Sequence, residues 1–132
     1  MRLFDLTGKM AIVTGGNGGI GLGMAKGLAE VGAKIAVVGR NPNKNAKAVT
    51  EIEALGADAM AVETDVCDAE AVDAMVAVVV GQWGAIHILI NNAGINIRKR
   101  PEELSEDEWR QVLDTNLTSA FLCSKACYPE MK

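Results

Sequence analysis

Thr14-Gly15-Gly16-Asn17-Gly18-Gly19-Ile20-Gly21 places five glycines in eight residues, between a β-branched run and a stretch of helical period. A loop of this composition lets the backbone come close to a phosphate, and the helix start behind it offers unpaired N–H groups at the positive end of a dipole. Two spacings fit. Gly16, Gly18 and Gly21 satisfy GxGxxG, one residue late relative to the strand. Gly15, Gly19 and Gly21, led by Thr14, satisfy TGxxxGxG, which begins at the strand end. The second register is preferred, and it makes Gly15, Asn17, Gly18, Gly19, Ile20 and Gly21 the candidate contacts to a pyrophosphate. Glycine turns are common, so the loop alone is weak evidence.

Further groups fall at matching places along the chain. Asp65-Val66 follows a third apolar run and Asn91-Asn92-Ala93-Gly94 a fourth. Ligands of parallel sheets bind beyond such strand ends. Arg40-Asn41 closes the second run, about 20 residues beyond Gly21, where an NAD site carries Asp or Glu for the ribose 2′-hydroxyl. No carboxylate stands there to repel a 2′-phosphate, and the Arg40 guanidinium suits one. The plain alternative is a surface arginine at a helix start. NADP is therefore the expected cofactor, with NAD as the second choice. His87 is the only histidine, and alone in a strand it reads as structural. The three cysteines are odd in number and lack a CxxC spacing. All three read as buried thiols, and no metal site is expected.

The elements that position these groups alternate, as a parallel sheet wrapped by helices requires. Strands are expected at Met10–Thr14, Lys34–Val38, Ala59–Val62 and Ile86–Ile90, the last buried on both faces. A first helix spans Ile20–Val31, with Met24, Ala25 and Leu28 inward and Gly32 as its stop. Pro42 opens a second helix, whose buried stripe is Val49, Ile52 and Leu55. Asp68 caps a third, with the stripe Val72, Met75, Val76 and Val79. Ser105 and Glu108 form a capping box for a last helix. Its expected core face is Trp109, Val112, Leu113, Leu117, Ala120 and Phe121, with Asn116 among them. The 132 residues read as one α/β domain, and the absence of any stop before Lys132 suggests a chain cut inside a helix.

Composition excludes other classes. A net charge of -4 argues against nucleic-acid binding, which needs a basic surface. The longest apolar run, Ala74 to Val80, is too short to span a bilayer. Met1 to Asp5 begins no secretory signal, so a cytoplasmic protein is expected.

With TGxxxGxG, the Asp after the third strand, the NNAG sequence and a later helical Asn all in order, the chain resembles the short-chain dehydrogenase/reductase family over essentially its whole length. The resemblance implies a Rossmann-type, doubly wound parallel sheet with strand order 3-2-1-4. It implies Asp65, with Val66, at the adenine ring, and Asn92, Ala93 and Gly94 on the ribose and nicotinamide side. Gly18 counts against NADP, since members using it often carry a basic residue there. Asn116 matches the family's helical Asn, which holds a water, and is the one catalytic candidate. The family moves hydride between a nicotinamide cofactor and a hydroxy or keto compound. Gly94 to Arg100 resembles bacterial members acting on sugars and sugar acids, such as gluconate dehydrogenases, and its Arg98-Lys99-Arg100 triplet suits a substrate carboxylate or a solvated loop equally.

The family's proton-transferring Tyr and Lys, spaced YxxxK, follow a further strand that bears a Ser. Tyr128 and Lys132 have the spacing, but no strand intervenes after Asn116, so the pair is read as a coincidence. The catalytic Ser, Tyr and Lys are expected to be absent, leaving a truncated chain that is inactive by itself. The alternatives are a noncatalytic dinucleotide-binding module and a fragment that associates through its sheet edge. A small-molecule substrate is the expected partner, without nucleic acid or membrane, and the full-length form is expected to be a homo-oligomer.

Overall fold

Four β-branched runs become four strands, because each alternates between two helix-covered faces. The computed structural model describes residues 2–132; Met1, first in the stretch screened for a secretory signal, lies outside the described residues. Strands β1 (Met10–Thr14), β2 (Lys34–Gly39), β3 (Ala59–Glu63) and β4 (Ile88–Ile90) pair only in parallel, in the order β3-β2-β1-β4. This is the expected order. The inner strands β1 and β2 are buried almost throughout. Strand β4 is shorter than expected and only half-buried, since it forms one edge of the sheet. Ile86, just before it, is nevertheless enclosed.

Helices α1 (Gly19–Glu30) and α2 (Pro42–Glu53) cover one face. There Ala25, Ala29, Ala48 and Ile52 pack on Ala11, Val13, Ile35 and Val37. The small side chains let these helices lie close to the strands. Helices α3 (Ala69–Trp83) and α5 (Ser119–Met131) cover the other face. Val72, Met75, Val76 and Val79 of α3, as expected, join Ile12, Val38, Cys123 and Cys127. Asp68 caps α3 by accepting from the N–H groups of Glu70 and Ala71, and Gly84 ends it at φ +81°.

Two helical stripes depart from expectation. Helix α2 stops at Glu53, so Leu55 lies past its end and is exposed; the buried line is Asn45, Ala48 and Ile52. The last helix departs further. Its capping box forms, with Ser105 accepting from the Glu108 N–H and Glu108 accepting from the Ser105 N–H, and α4 runs Glu106–Leu113. A π-helical turn, Asp114–Thr118, then separates α4 from α5. The wider turn shifts the phase of every later residue, so Ser119, Cys123 and Cys127 face the core. Trp109, Leu113, Leu117 and Phe121, expected inside, are all exposed. Among the described residues no helix is long and apolar enough to cross a membrane.

Candidate functional site

Because the strands are parallel, the loops after β1, β2, β3 and β4 meet at one end of the sheet. Thr14 joins two of them. Its hydroxyl donates to the Ile90 carbonyl at 3.3 Å and accepts from the N–H groups of Asn92 and Ala93, both at 3.0 Å. One donor and two lone pairs are thereby used in full. Asn92 reaches back, its amide nitrogen donating to the Gly15 carbonyl at 3.2 Å. A Cβ on Gly21 would overlap that same carbonyl oxygen and the Asn92 amide. Gly15 and Gly19 stand at φ +64° and +54°, where a side chain is strained. Gly18, required by the GxGxxG spacing, has extended backbone and open space around it. Gly16, the first glycine of that spacing, is tightly held, its Cβ position 2.8 Å from the Val13 carbonyl oxygen, so it is the positive φ at Gly15 and Gly19 that favours TGxxxGxG. No side chain caps the start of α1, which leaves its first N–H groups free to meet an anion.

The end of β2 is held by amides. Asn45, 1% exposed, donates from its amide to the Gly39 carbonyl and accepts from the Asn17 amide, both at 2.9 Å. Arg40 follows and is exposed. Asn41 turns away to cap α2, accepting from the Lys44 N–H at 3.1 Å. After β3, the Asp65 carboxylate accepts from the Cys67 N–H at 2.9 Å and fixes that turn.

An open cleft lies between these loops. Of the expected residues, Gly15, Asn17, Arg40, Asp65, Val66, Ala93 and Gly94 line it. Gly18, Gly19, Ile20 and Gly21 instead build the helix start beside it, with the Ile20 side chain exposed. Asn92 supports Gly15 from behind. Gly39, Thr64, Cys67, Ile95 and Thr115 also line the cleft. All but Thr115, which the π-turn brings in, adjoin expected residues in sequence.

Asn116 lies in that turn and is exposed, not on a buried apolar face as expected, because the turn rotates it outward. Both ends of its amide are nonetheless engaged: it accepts from the Ile95 N–H at 2.7 Å and donates to the Ile95 carbonyl at 3.0 Å. This pair holds the loop after β4. Tyr128 lies on α5, 63% exposed and away from the cleft lining, and no strand separates it from Asn116. His87 is structural, its ring Nδ1 accepting from the Met10 N–H at 3.0 Å. Cys67 is exposed, a correction to the reading of three buried thiols: it sits on the loop after β3. Cys123 and Cys127 are buried, and burial pushes both thiols up to about 11. Lys99, the middle of the basic triplet, pairs with Glu108 at 2.8 Å, and this bond holds the Glu108 carboxyl below its ordinary range. Among the described residues no His, Cys, Asp or Glu cluster could hold a metal.

Residues 9–132 match the short chain dehydrogenase family. The chain belongs to it. This short-chain dehydrogenase chain is 42% identical over 124 residues to the 3-oxoacyl-(acyl-carrier-protein) reductase FabG of Staphylococcus aureus, covering 93% of the chain and 50% of the relative. It is 43% identical over 124 residues to gluconate 5-dehydrogenase of Gluconobacter oxydans, covering 94% and 48%. Among solved structures, NAD+-bound xylitol dehydrogenase superposes with a TM-score of 0.91 at 36% identity, over 95% of this chain and 48% of that one. The chain spans about half the length of the curated relatives it matches. Short-chain dehydrogenases are nicotinamide-dependent oxidoreductases.

Proposed function

We propose that this chain holds the dinucleotide of a cytoplasmic oxidoreductase that moves hydride between NADP and a small hydroxy or keto compound, a sugar or sugar acid in preference. The observation that carries the reading is the cleft beside a glycine loop whose spacing admits no side chain at Gly21. Backbone packed this closely at the end of β1, next to free helical N–H groups beside the cleft, suits a pyrophosphate. In this reading Gly15, Asn17 and the α1 start from Gly18 through Gly21 hold the phosphates. Asp65 and Val66 border the adenine, and Asn92, Ala93 and Gly94 shape the ribose and nicotinamide side. When bound, the nicotinamide ring gives or takes the hydride.

Arg40 sets the preference for NADP, with NAD as the alternative. Asn41, committed to its helix cap, reaches the cofactor only through its backbone. Asn116 acts as a positioning residue, holding the loop that follows Gly94 through Ile95. The sugar-acid assignment rests on likeness to gluconate 5-dehydrogenase, and a homo-oligomer is the expected full-length form. No Tyr–Lys pair lines the cleft among the described residues, and acid–base help is worth roughly 10²–10⁴-fold. The chain by itself is thus expected to bind dinucleotide without turnover.

The test is calorimetric titration of the chain with NADP and NAD, beside an NADPH-oxidation assay on sugar-derived ketones. Arg40→Ala should weaken NADP by about 1.5–3 kcal/mol, the range for hydrogen bonds to charged groups, and leave NAD nearly unchanged. Equal losses for both cofactors would overturn the role of Arg40. Robust turnover that disappears in Tyr128→Phe would return Tyr128 to the catalytic machinery.

A further inference from the structure

A buried amide outside the cleft lining connects two of its walls, the glycine loop and the end of β2. Asn45 lies on α2 and, at 1% exposure, must have partners for both ends of its side chain. One end takes the Asn17 amide, from the middle of the glycine loop, and the other reaches the Gly39 carbonyl at the end of β2. The Gly39 carbonyl also receives the Thr64 N–H at 3.2 Å, which ties in the end of β3. Both of its lone pairs are then occupied. The amide pair also fills space: a Cβ on Gly39 would fall 2.5 Å from the Asn17 amide nitrogen and 2.8 Å from the Asn45 oxygen. A side chain at Gly39, the residue before Arg40, would have to displace this amide pair.

We propose that Asn45 is a positioning residue for dinucleotide discrimination: through Asn17 and Gly39 it locks the glycine loop to the turn that presents Arg40. The inference rests on the proposed dinucleotide reading of the cleft. It assigns the preference for NADP to a pair of residues, Arg40 at the surface and Asn45 beneath it. NADP depends on where the turn after β2 holds the guanidinium, whereas NAD makes no use of that group. Loosening the turn therefore costs NADP more than NAD.

The test titrates wild type, Asn45→Ala, Asn45→Asp, Asn17→Ala and the Asn17→Ala/Asn45→Ala double variant with NADP and with NAD, at a temperature where circular dichroism shows each folded. Asn45→Asp keeps the size and still accepts from Asn17, but it sets a second acceptor against the Gly39 carbonyl. Both Asn45 variants should lose NADP affinity about tenfold or more and narrow the NADP-to-NAD ratio. The double variant should narrow the NADP-to-NAD ratio no further than Asn45→Ala does, because both side chains serve the same link between loop and turn. If Asn45→Ala fails to fold, Asn17→Ala alone must narrow the ratio. A residue of purely structural importance would lower the melting temperature and leave the ratio unmoved in the folded protein, and that result overturns the inference. A ratio that narrows further in the double variant than in Asn45→Ala overturns it too. Wild type that binds neither dinucleotide defeats the functional reading itself, and the inference with it; wild type that binds while the ratio stays fixed defeats only the inference.

Discussion

Around the glycine loop, backbone segments touch and polar side chains are matched; along α4 and α5, large apolar side chains face outward. Thr14, Asn45 and Asn92 satisfy one another's neighbours, and no buried side-chain polar atom among the described residues lacks a partner. Trp109, Leu117, Phe121 and Tyr128, by contrast, are each more than half exposed. The first region is specified by sterics at single positions, where one added carbon matters. The second is specified by periodicity, where residue types are exchangeable and a single wide turn changes which of them are buried.

The contrast is sharpest within α1. Gly21→Ala places a methyl group against the Gly15 carbonyl and the Asn92 amide. Dinucleotide binding should fall below detection by calorimetry, with a lowered melting temperature. Gly23, two residues on, is exposed and has nothing within 4 Å of its Cβ position. Gly23→Ala should stabilise the helix by roughly 0.5–1 kcal/mol and leave binding intact. If both changes behaved alike, close approach at Gly21 would not be the reason for its glycine.

Across the two regions, Met75→Ala should cost about 2–5 kcal/mol in urea unfolding, since its side chain is enclosed. Phe121→Ala should stay within about 0.5 kcal/mol, as exposed sites do. A large loss at Phe121 would mean that the α5 outer face is covered in solution.

A smaller effect separates the thiols. A chromogenic disulfide reagent at pH 8 should modify Cys67 in the native chain and spare Cys123 and Cys127. At about 11 for the buried pair, only roughly a thousandth of each is thiolate. In denaturant all three should react. Native modification of three thiols would contradict the burial of α5 against the sheet.

What the sequence disclosed follows the same division. The strands and the glycine spacing were legible because their determinants are local: β-branched runs, helix caps and glycines at fixed offsets. Asn45 was not, because its meaning depends on Asn17, 28 residues away, and an asparagine near a helix start reads as surface. The outer side of α5 was misread because helical periodicity assumes a constant turn, which Asp114–Thr118 breaks, and α4 because its apolar stripe, as periodic as a core face, buries no residue. Cys67 was misread because burial statistics for cysteine ignore the loop on which this one sits.

The Thr14 hydroxyl makes two loop hydrogens into reporters on the sheet. The amide hydrogens of Asn92 and Ala93 belong to no strand, yet both end on an oxygen that is anchored in β1 and bonded to the last residue of β4. Their exchange with deuterium therefore reports on how firmly this loop is held to the β1–β4 edge. Slow uptake at these two positions, beside fast uptake at Asn91 and Asn96, would time the release of this loop from the sheet.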